Sequence, residues 1–400
     1  MINGRNILCI STPAWESTYA STTVQLMKEM AVKNKVLFVQ NPFTIKDVAD
    51  GVNGKKNIPF KKVFGLRARL KTVRVGDNSF IYVLTPPMIL TINFLPKGFL
   101  YESLVQFNGW IIQHAIKKYL KKLDMEKDLV HLVSFSPALG LALGRRFNER
   151  LLLYLCYDEI SAAPHLKKHG IWQEQEFARK VDATIVTSQG LYDQKSALSK
   201  KCYLIKNAAN FPLFSAGFNT EITVKKKVGF IGGIDRRLDY PLLQHLISNL
   251  PEVEFTFIGR VVYEEGKIIL QQYQNVILAG SKKLAELPGE LKQFSLGIIP
   301  FRTSEFLKTV YPLKMNEYLA AGLPVVTTNF SNLDDFTTVV RIADNKDEFL
   351  QFVKEEIESD TIEKKRERQE VARLNSWEHR ADELSAVIEE LEISKSAANG

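Results

Sequence analysis

One segment, residues 296–328, constrains the fold more than any other part of this chain. It begins and ends with short apolar or β-branched runs, residues 296–300 and 325–328, which are typical of buried parallel strands. The residues between them favour a helix, because Pro312 suits a first helical position and Gly322 suits the end. The segment therefore predicts a strand, a helix and a second strand of a parallel sheet.

The start of this predicted helix has the features of an anion-binding site. Its unpaired backbone N–H groups follow the carboxyl end of a parallel strand, where phosphates bind in open α/β sheets. Lys314 lies one turn inside the helix and Glu317 three residues later, so the two side chains share a face. Lys314 is placed to meet a diphosphate and Glu317 to accept both hydroxyls of a ribose. The alternative is an ordinary surface Lys/Glu pair.

Strand and helix patterns alternate along the chain in two series. The first series predicts strands near residues 7–10, 36–39, 80–84, 129–133, 152–156 and 184–186. The second predicts strands near residues 228–231, 255–258, 276–278, 296–299, 325–328 and 339–342. A polar stretch separates the two series, and 400 residues exceed what one hydrophobic core usually organises. We therefore expect domains at residues 1–207 and 208–375, an amphipathic helix at 376–394 and a disordered tail.

Residues 311–326, YPLKMNEYLAAGLPVV, resemble the donor-site signature of bacterial GT-B glycosyltransferases of the family 4-like and teichuronic-acid type. The resemblance implies a GT-B fold, in which two Rossmann-like parallel-sheet domains face a central cleft. It implies that the first domain binds the acceptor, that the second binds a nucleotide-sugar donor, and that the last helix packs back on the first domain. It places Glu317 on the nucleotide ribose. It also gives substrate-binding positions to Tyr311, Pro312, Leu313 and Lys314.

The loop after the predicted strand 228–231 resembles the Gly-rich first loop of the donor domain. Gly232 and Gly233 let the backbone approach a ligand closely, although a plain β–α turn would also use them. Gly233 and Leu238 stand where the family usually has arginine and lysine, and Thr309 replaces a second glutamate that many members carry. We therefore assign the diphosphate charge to other cations, namely Lys314, Arg237 and Arg302.

Two further loops follow the pattern of the donor domain. Arg260 ends the run FTFIGR, and Gly280 with Ser281 begins a loop where a nucleobase edge would meet backbone groups. The expected donor is a UDP-sugar rather than a GDP-sugar, with no other cofactor.

The first domain should carry any catalytic base. An inverting transfer needs a carboxylate beside the acceptor hydroxyl, whereas a retaining transfer relies on the donor's own phosphate. Asp158 and Glu159 directly follow the apolar run 152–156 and would lie at the carboxyl edge of the sheet, although Asp158 could instead cap a helix. Glu16 is a second candidate, because it ends a loop containing Trp15 that resembles the cleft loop of the family.

The basic charge of the chain is uneven. Residues 51–76 contain eight basic side chains and no acid, namely Lys55, Lys56, Lys61, Lys62, Arg67, Arg69, Lys71 and Arg74. Residues 104–123 combine apolar residues at helical spacing with four lysines. Such segments bind anionic membrane surfaces, and the alternative is a solvated basic loop beside an ordinary sheet-packing helix. No recognition motif supports nucleic acid as a partner.

A metal site is not expected. His165 and His169 are four residues apart, but no third ligand is spaced near them, and we interpret them as solvated surface histidines. The first residues lack the apolar core of a secretory signal, and no apolar run reaches the 18 or so residues needed to span a bilayer.

These observations predict a metal-independent glycosyltransferase on the cytoplasmic face of a bacterial membrane, acting on a lipid-linked or cell-envelope glycan acceptor. A nucleotide-sugar epimerase of the same fold is one alternative, which would need a crowded set of acids and histidines. A binding or scaffold protein that kept the fold without catalysis is another. This second alternative is supported by Thr309 and Gly233, which stand where the family usually has a glutamate and an arginine.

Overall fold

The structure is a computed structural model that describes residues 1–16, 21–163, 166–221 and 226–399. The chain divides into two compact units. The first comprises residues 1–206 and 380–400, and the second comprises residues 207–379. Within the described residues, no helix combines the length and apolarity required to cross a bilayer.

The first unit is built on one eight-stranded sheet. Its strands are β1 (Asn6–Ser11), β2 (Lys35–Val39), β3 (Leu70–Arg74), β4 (Phe80–Leu84), β5 (Leu129–Ser134), β6 (Leu151–Cys156), β7 (Ala183–Val186) and β8 (Cys202–Leu204). Its helices before the boundary are α1 (Thr22–Met30), α2 (Ile45–Val52), α3 (Phe60–Val63), α4 (Phe99–Lys122), α5 (Pro137–Leu143), α6 (Gly170–Lys180) and α7 (Gln189–Lys195). The strand order is β3-β4-β2-β1-β5-β6-β7-β8, with β3 antiparallel to β4 and the other neighbours parallel. Strands β5 and β6 are buried along their whole length, as expected for central strands of a parallel sheet.

The second unit is built on a parallel six-stranded sheet. Its strands are β9 (Lys227–Ile231), β10 (Glu254–Ile258), β11 (Val276–Gly280), β12 (Leu296–Ile299), β13 (Val325–Thr328) and β14 (Arg341–Ala343). Its helices are α8 (Phe211–Phe214), α9 (Tyr240–Ser248), α10 (Glu264–Leu270), α11 (Leu287–Leu291), α12 (Glu305–Lys308), α13 (Leu313–Ala320), α14 (Lys346–Glu358) and α15 (Ile362–Leu374). The strand order is β11-β10-β9-β12-β13-β14, and one hydrophobic core covers the sheet.

The last helix, α16 (Trp377–Asn399), packs against the first unit. Glu392 accepts a hydrogen bond from Arg5 at 2.6 Å, and Lys395 lies 2.8 Å from Asp182. The helix includes residues 394–399, so the expectation of a disordered tail there is wrong. Ion pairs such as that of Lys395 continue the contact beyond the apolar part of the helix.

Candidate functional site

Two loops meet at the carboxyl edge of the second sheet, where β9 and β12 lie side by side. The next two strands in the chain, β10 and β11, lie on the other side of β9 from β12, so the strand order reverses between β9 and β12. Ligands of open α/β sheets bind at such points. Backbone contacts tie the two loops together: Leu238 bridges Phe301, and Arg302 N donates to Arg237 O at 2.9 Å.

Gly232, the first residue after β9, allows a side chain from helix α13 to come close. Its φ of 152° lies in the region that favours glycine, and a Cβ atom there would lie 2.6 Å from Lys314 Nζ. Gly259, after β10, is equally constrained, because a Cβ there would lie 1.9 Å from Gly232 O. The approach of Lys314 therefore depends on glycine at position 232.

Lys314 lies in the first turn of α13, and its ammonium group packs between two buried aromatic rings. Nζ is 4.3 Å from the Phe230 ring centroid and 4.5 Å from that of Phe301. Burial, together with the nearby charge of Arg237, lowers the pKa of Lys314 to about 7. No carboxylate within the described ranges forms an ion pair with it. A half-buried ammonium group with no ion-pair partner among the described residues favours the binding of an anion beside it.

Glu317 lies one turn beyond Lys314 and is half-buried. Burial raises the pKa of its carboxyl group to about 7, although the charge of Lys314 acts in the opposite direction. Both side chains are half-buried and the Lys314 ammonium group packs against two buried rings, so an ordinary solvated Lys/Glu pair does not describe them. The two residues instead form a half-buried pair of titratable groups at the switch point of the sheet.

Arg237 is less available than the sequence suggested. Its guanidinium group forms a forked ion pair with Asp235, with distances from 2.6 to 3.0 Å. Burial alone would raise the pKa of Asp235, but the hydrogen bonds and charge of Arg237 outweigh it and lower that pKa. The positive charge of Arg237 is therefore partly compensated within the protein.

The other predicted arginines are exposed at the same edge. Arg302 follows β12, and the carbonyl group of Arg260, after β10, accepts a hydrogen bond from Ile234 N at 3.0 Å. Sequence reasoning missed Arg236, whose guanidinium group lies 4.9 Å from the centre of the Tyr263 ring. Arg236 and Arg302 line a cavity of about 460 Å³. The backbone contacts between the loops after β9 and β12 bring them together, and no sequence pattern marks these contacts.

The predicted nucleobase loop lies at the edge strand of the sheet. Gly280 ends β11 with a φ of 71°, and its carbonyl group accepts a hydrogen bond from Gly259 N at 2.8 Å. Ser281 is exposed beside it. This contact links the ends of β10 and β11, so backbone groups of the loop are presented at the carboxyl edge.

The residues before α13 contribute mainly packing. Tyr311 is buried, with its hydroxyl 3.4 Å from Asp335 Oδ2, and Pro312 caps the helix rather than occupying its first position as predicted. Leu313 is the first helical residue and is half-buried. Thr309 is buried, and its hydroxyl donates to Phe306 O at 2.7 Å. The Thr309 hydroxyl therefore forms its hydrogen bond with the end of α12.

Asp158 and Glu159 both lie after β6, but they differ in their surroundings. Glu159 lies 3.0 Å from Lys195 Nζ and accepts a hydrogen bond from Ser161 N at 3.1 Å. Burial alone would raise the pKa of Glu159, but the charge of Lys195 and these hydrogen bonds lower it. This placement argues against Glu159 as a base and leaves Asp158, which is half-buried and accepts from Glu159 N at 2.9 Å.

Glu16 is exposed, and it lies 2.5 Å from Lys71 Nζ. The hydrogen bond from Lys71 lowers the pKa of its carboxyl group. The preceding Trp15 packs edge-on against Phe38 at 5.2 Å. An exposed, ion-paired carboxylate has little tendency to take a proton, so the structure gives Glu16 no support as a base.

Acidic side chains outside the basic stretch 51–76 compensate part of its charge. Among the described residues these pairs are Lys56 with Asp47, Lys71 with Glu16 and Arg74 with Asp77. Arg69 donates to the carbonyl groups of Lys62 and Val63. The stretch is also not a simple loop, because it contains α3 and β3. The free positive charge is therefore smaller than the sequence implied.

The described part of the chain contains no group of three or more His, Cys, Asp or Glu side chains arranged to hold a metal ion. His165 lies outside the described residues. His169 is 3% exposed and stacks on Tyr101 at 4.0 Å, so its interpretation as a solvated histidine is wrong.

The residues Gly232, Lys314 and Glu317 lie inside a stretch with known relatives. Residues 225–357 match the family model described as "Glycosyl transferases group 1". These residues form a glycosyl transferases group 1 domain. A curated relative, "Putative teichuronic acid biosynthesis glycosyltransferase TuaH" of Bacillus subtilis (strain 168), is 30% identical over 169 residues. The match covers 39% of this chain and 42% of that protein, so the chain aligns with less than half of the relative's length.

Solved structures extend the likeness to almost the whole chain. The α,α-trehalose 6-phosphate synthase of Burkholderia multivorans matches with a TM-score of 0.64 and 12% identity, covering 99% of this chain and 100% of that one. A UDP-forming α,α-trehalose-phosphate synthase of Burkholderia xenovorans, in complex with glucose-6-phosphate, matches with a TM-score of 0.65 and 12% identity, covering 97% and 100%. The predicted GT-B fold is confirmed.

Proposed function

We propose that this chain is a glycosyltransferase that uses a nucleotide-diphosphate sugar. The observation that carries the proposal is the position of Lys314, whose Nζ packs against Gly232 at the switch point of the second sheet. An ammonium group that forms no ion pair with the described carboxylates suits a diphosphate, because the bound anion favours the charged form that burial disfavours.

We extend the proposal to the other parts of the donor. Glu317 would accept the two ribose hydroxyls, and the backbone loop at Gly280 would meet the nucleobase. We propose UDP as the nucleotide, in line with the UDP-forming synthase of the same fold. The charge that develops on the leaving diphosphate would be stabilised by Lys314 and the N-terminus of α13, without a metal ion.

We further propose that the acceptor is lipid-linked or part of a cell-envelope glycan, and that the enzyme works on the cytoplasmic face of a membrane. The name of the Bacillus subtilis relative supports a cell-envelope product. Some basic residues of the stretch 51–76 form no ion pair with a described acidic residue. Their charge supports attraction to anionic lipid.

The donor assignment is tested by Glu317→Ala and calorimetry with UDP. Hydrogen bonds to a charged acceptor contribute about 1.5–3 kcal/mol each, so two lost ribose contacts weaken binding by roughly a hundredfold or more. The control is Glu305→Ala, which removes an exposed glutamate from the neighbouring helix α12. Equal UDP affinity in the wild type and the Glu317 variant, with both folded, would refute the assignment.

A further inference from the structure

A second cavity, of about 220 Å³, lies in the first unit. The loops after β1, β2, β4 and β5 contribute Thr12, Asn41, Ile92 and Ser136, and Val105 of α4 closes one side. These strands are neighbours, and the strand order reverses between β1 and β5. The cavity therefore occupies the position in the first sheet where a ligand is expected.

The lining of this cavity is neutral and largely apolar. Of the described residues that line it, none is acidic or basic. Several of its polar groups already have protein partners. The Thr12 hydroxyl donates to a backbone carbonyl group at 2.7 Å, the Asn108 amide pairs with both backbone groups of Leu90, and Gln173 donates to the Tyr101 hydroxyl at 2.9 Å. The surface left for a ligand is mainly apolar.

The apolar character continues outside the cavity. Between the lining residues Asn93 and Tyr101, three large apolar side chains are exposed: Phe94 by 70%, Phe99 by 88% and Leu100 by 60%. Large apolar side chains clustered at the surface beside a cavity mark an interaction site more often than isolated ones do. In the sequence, these exposed side chains therefore lie between residues that line the cavity.

We propose that this cavity holds a hydrocarbon segment of the acceptor, which is therefore an amphiphile. The proposal rests on the transferase function proposed above, selects the amphiphilic class of acceptor, and assigns its hydrocarbon part to a cavity of the first unit. At about 220 Å³ the cavity is smaller than the roughly 300–1,000 Å³ that encloses a whole small ligand, so it takes one part of the acceptor only. A neutral sugar ring fits less well, because it would need the hydrogen-bonding groups that the protein already uses.

The experiment measures binding of a series of n-alkyl phosphates of increasing chain length to the full chain, below their micelle concentrations. Inorganic phosphate and methyl glucoside serve as the headgroup and sugar probes. Each added methylene should tighten Kd about fourfold until the cavity is full, after which the gain should stop. A Kd independent of chain length, or competition by methyl glucoside with no binding of the alkyl series, would overturn the proposal.

Two substitutions with opposite effects separate the cavity from the exposed surface. Ala138→Phe fills it and should end the gain at a shorter chain, whereas Val105→Ala enlarges it and should extend the gain to a longer one. The matched control is Ala197→Phe, at an exposed alanine of the same unit. Chain-length profiles that are identical in all these variants, with unchanged melting temperatures, would place the alkyl chains on the surface and refute the proposal.

Calorimetry with UDP on the same samples keeps the two proposals distinct. Loss of the alkyl dependence with normal UDP binding refutes the acceptor class and leaves the donor site intact. A normal alkyl profile without UDP binding has the reverse meaning: it refutes the donor assignment and supports the cavity as a hydrocarbon site.

Discussion

Replacing Lys314 by methionine should stabilise the protein while removing donor binding. The wild-type side chain places an ammonium group between Phe230 and Phe301, where burial and Arg237 lower its pKa from 10.5 to about 7. Folding therefore works against the charged form of this group. Methionine has a similar length and can fill the same space between the rings without a charge.

The magnitude follows from the pKa shift. At 1.36 kcal/mol per unit, the shift corresponds to about 5 kcal/mol, which is an upper limit for a side chain that solvent still reaches. Methionine also loses the two cation–π contacts, each on the order of 0.5–1 kcal/mol. We therefore expect a gain of about 1–3 kcal/mol in the free energy of unfolding, or about 2–4 °C in Tm per kcal/mol for a domain of this size.

The pH dependence identifies the cause of the gain. The folded-state pKa of Lys314 lies below the unfolded value, so its cost is complete below pH 7 and disappears as the pH rises towards 10.5. The difference in Tm between variant and wild type should therefore be greatest near pH 6 and should shrink steadily up to pH 10.

Differential scanning calorimetry and UDP titration are the assays, and Lys308→Met is the control. Lys308 is an exposed lysine of the neighbouring helix α12, paired with Glu305 at 2.6 Å, so its loss should change neither Tm nor UDP affinity measurably. A lower Tm for the Lys314 variant at pH 6, or an unchanged UDP affinity, would show that the buried-cation reasoning is wrong.

Three other predictions concern the metal, the proton balance and the membrane. Donor turnover should survive EDTA, since α13 and Lys314 would carry the phosphate charge, and complete loss restored only by Mg²⁺ or Mn²⁺ would contradict this. UDP-glucose affinity should peak near pH 7 and fall roughly tenfold or more by pH 5 and pH 9. The reason is that Lys314 loses its proton above pH 7 and Glu317 gains one below it. A flat profile would exclude this pair from donor binding. Co-sedimentation should require anionic vesicles and should fade towards 1 M salt. It should also weaken in the Lys55→Gln, Lys61→Gln, Lys62→Gln triple variant. Equal binding to neutral vesicles would contradict an electrostatic attraction to the membrane.

The parallel sheets could be predicted from the sequence because their strands are apolar runs separated by helical patterns. Strands such as β1, β5 and β12 were predicted within a residue or two of their bounds. Strand β14 lies at residues 341–343 rather than 339–342, because it is an edge strand whose pairing with β13 sets its limits. A short edge strand carries too few apolar residues to fix its own limits.

Strand β3 was missed because its residues carry no strand pattern of their own. It is a basic, mostly exposed edge strand, and its pairing with β4 gives it regular structure. The same pairing explains why the basic stretch is not a loop. Tertiary pairing of this kind depends on residues distant in the sequence, which local patterns do not report.

The position of the candidate site could be predicted, but its energetics could not. Helix spacing placed Lys314 and Glu317 on one face, and both lie at the switch point of the sheet. Whether each charge is paired depends on side chains from other elements. Glu159 is held by Lys195 of α7, and Arg237 is partly neutralised by Asp235 of its own loop. These partners decide which predicted residues remain available to a ligand.

In the proposed donor site, the positive charge would come from α13 rather than from the loop after β9. That loop has Gly233 and Leu238 where the family usually has cations, and its Arg237 is compensated by Asp235. That exchange works only if the backbone at Gly232 leaves room, because any Cβ there would push against Lys314 Nζ. Gly232→Ala should therefore displace the ammonium group and strain the backbone, because φ at residue 232 is one that L residues rarely adopt. The expected result is a weaker UDP affinity than that of the wild type, with the variant still folded in calorimetry. An unchanged UDP affinity would mean that the approach of Lys314 to Gly232 does not matter for the ligand.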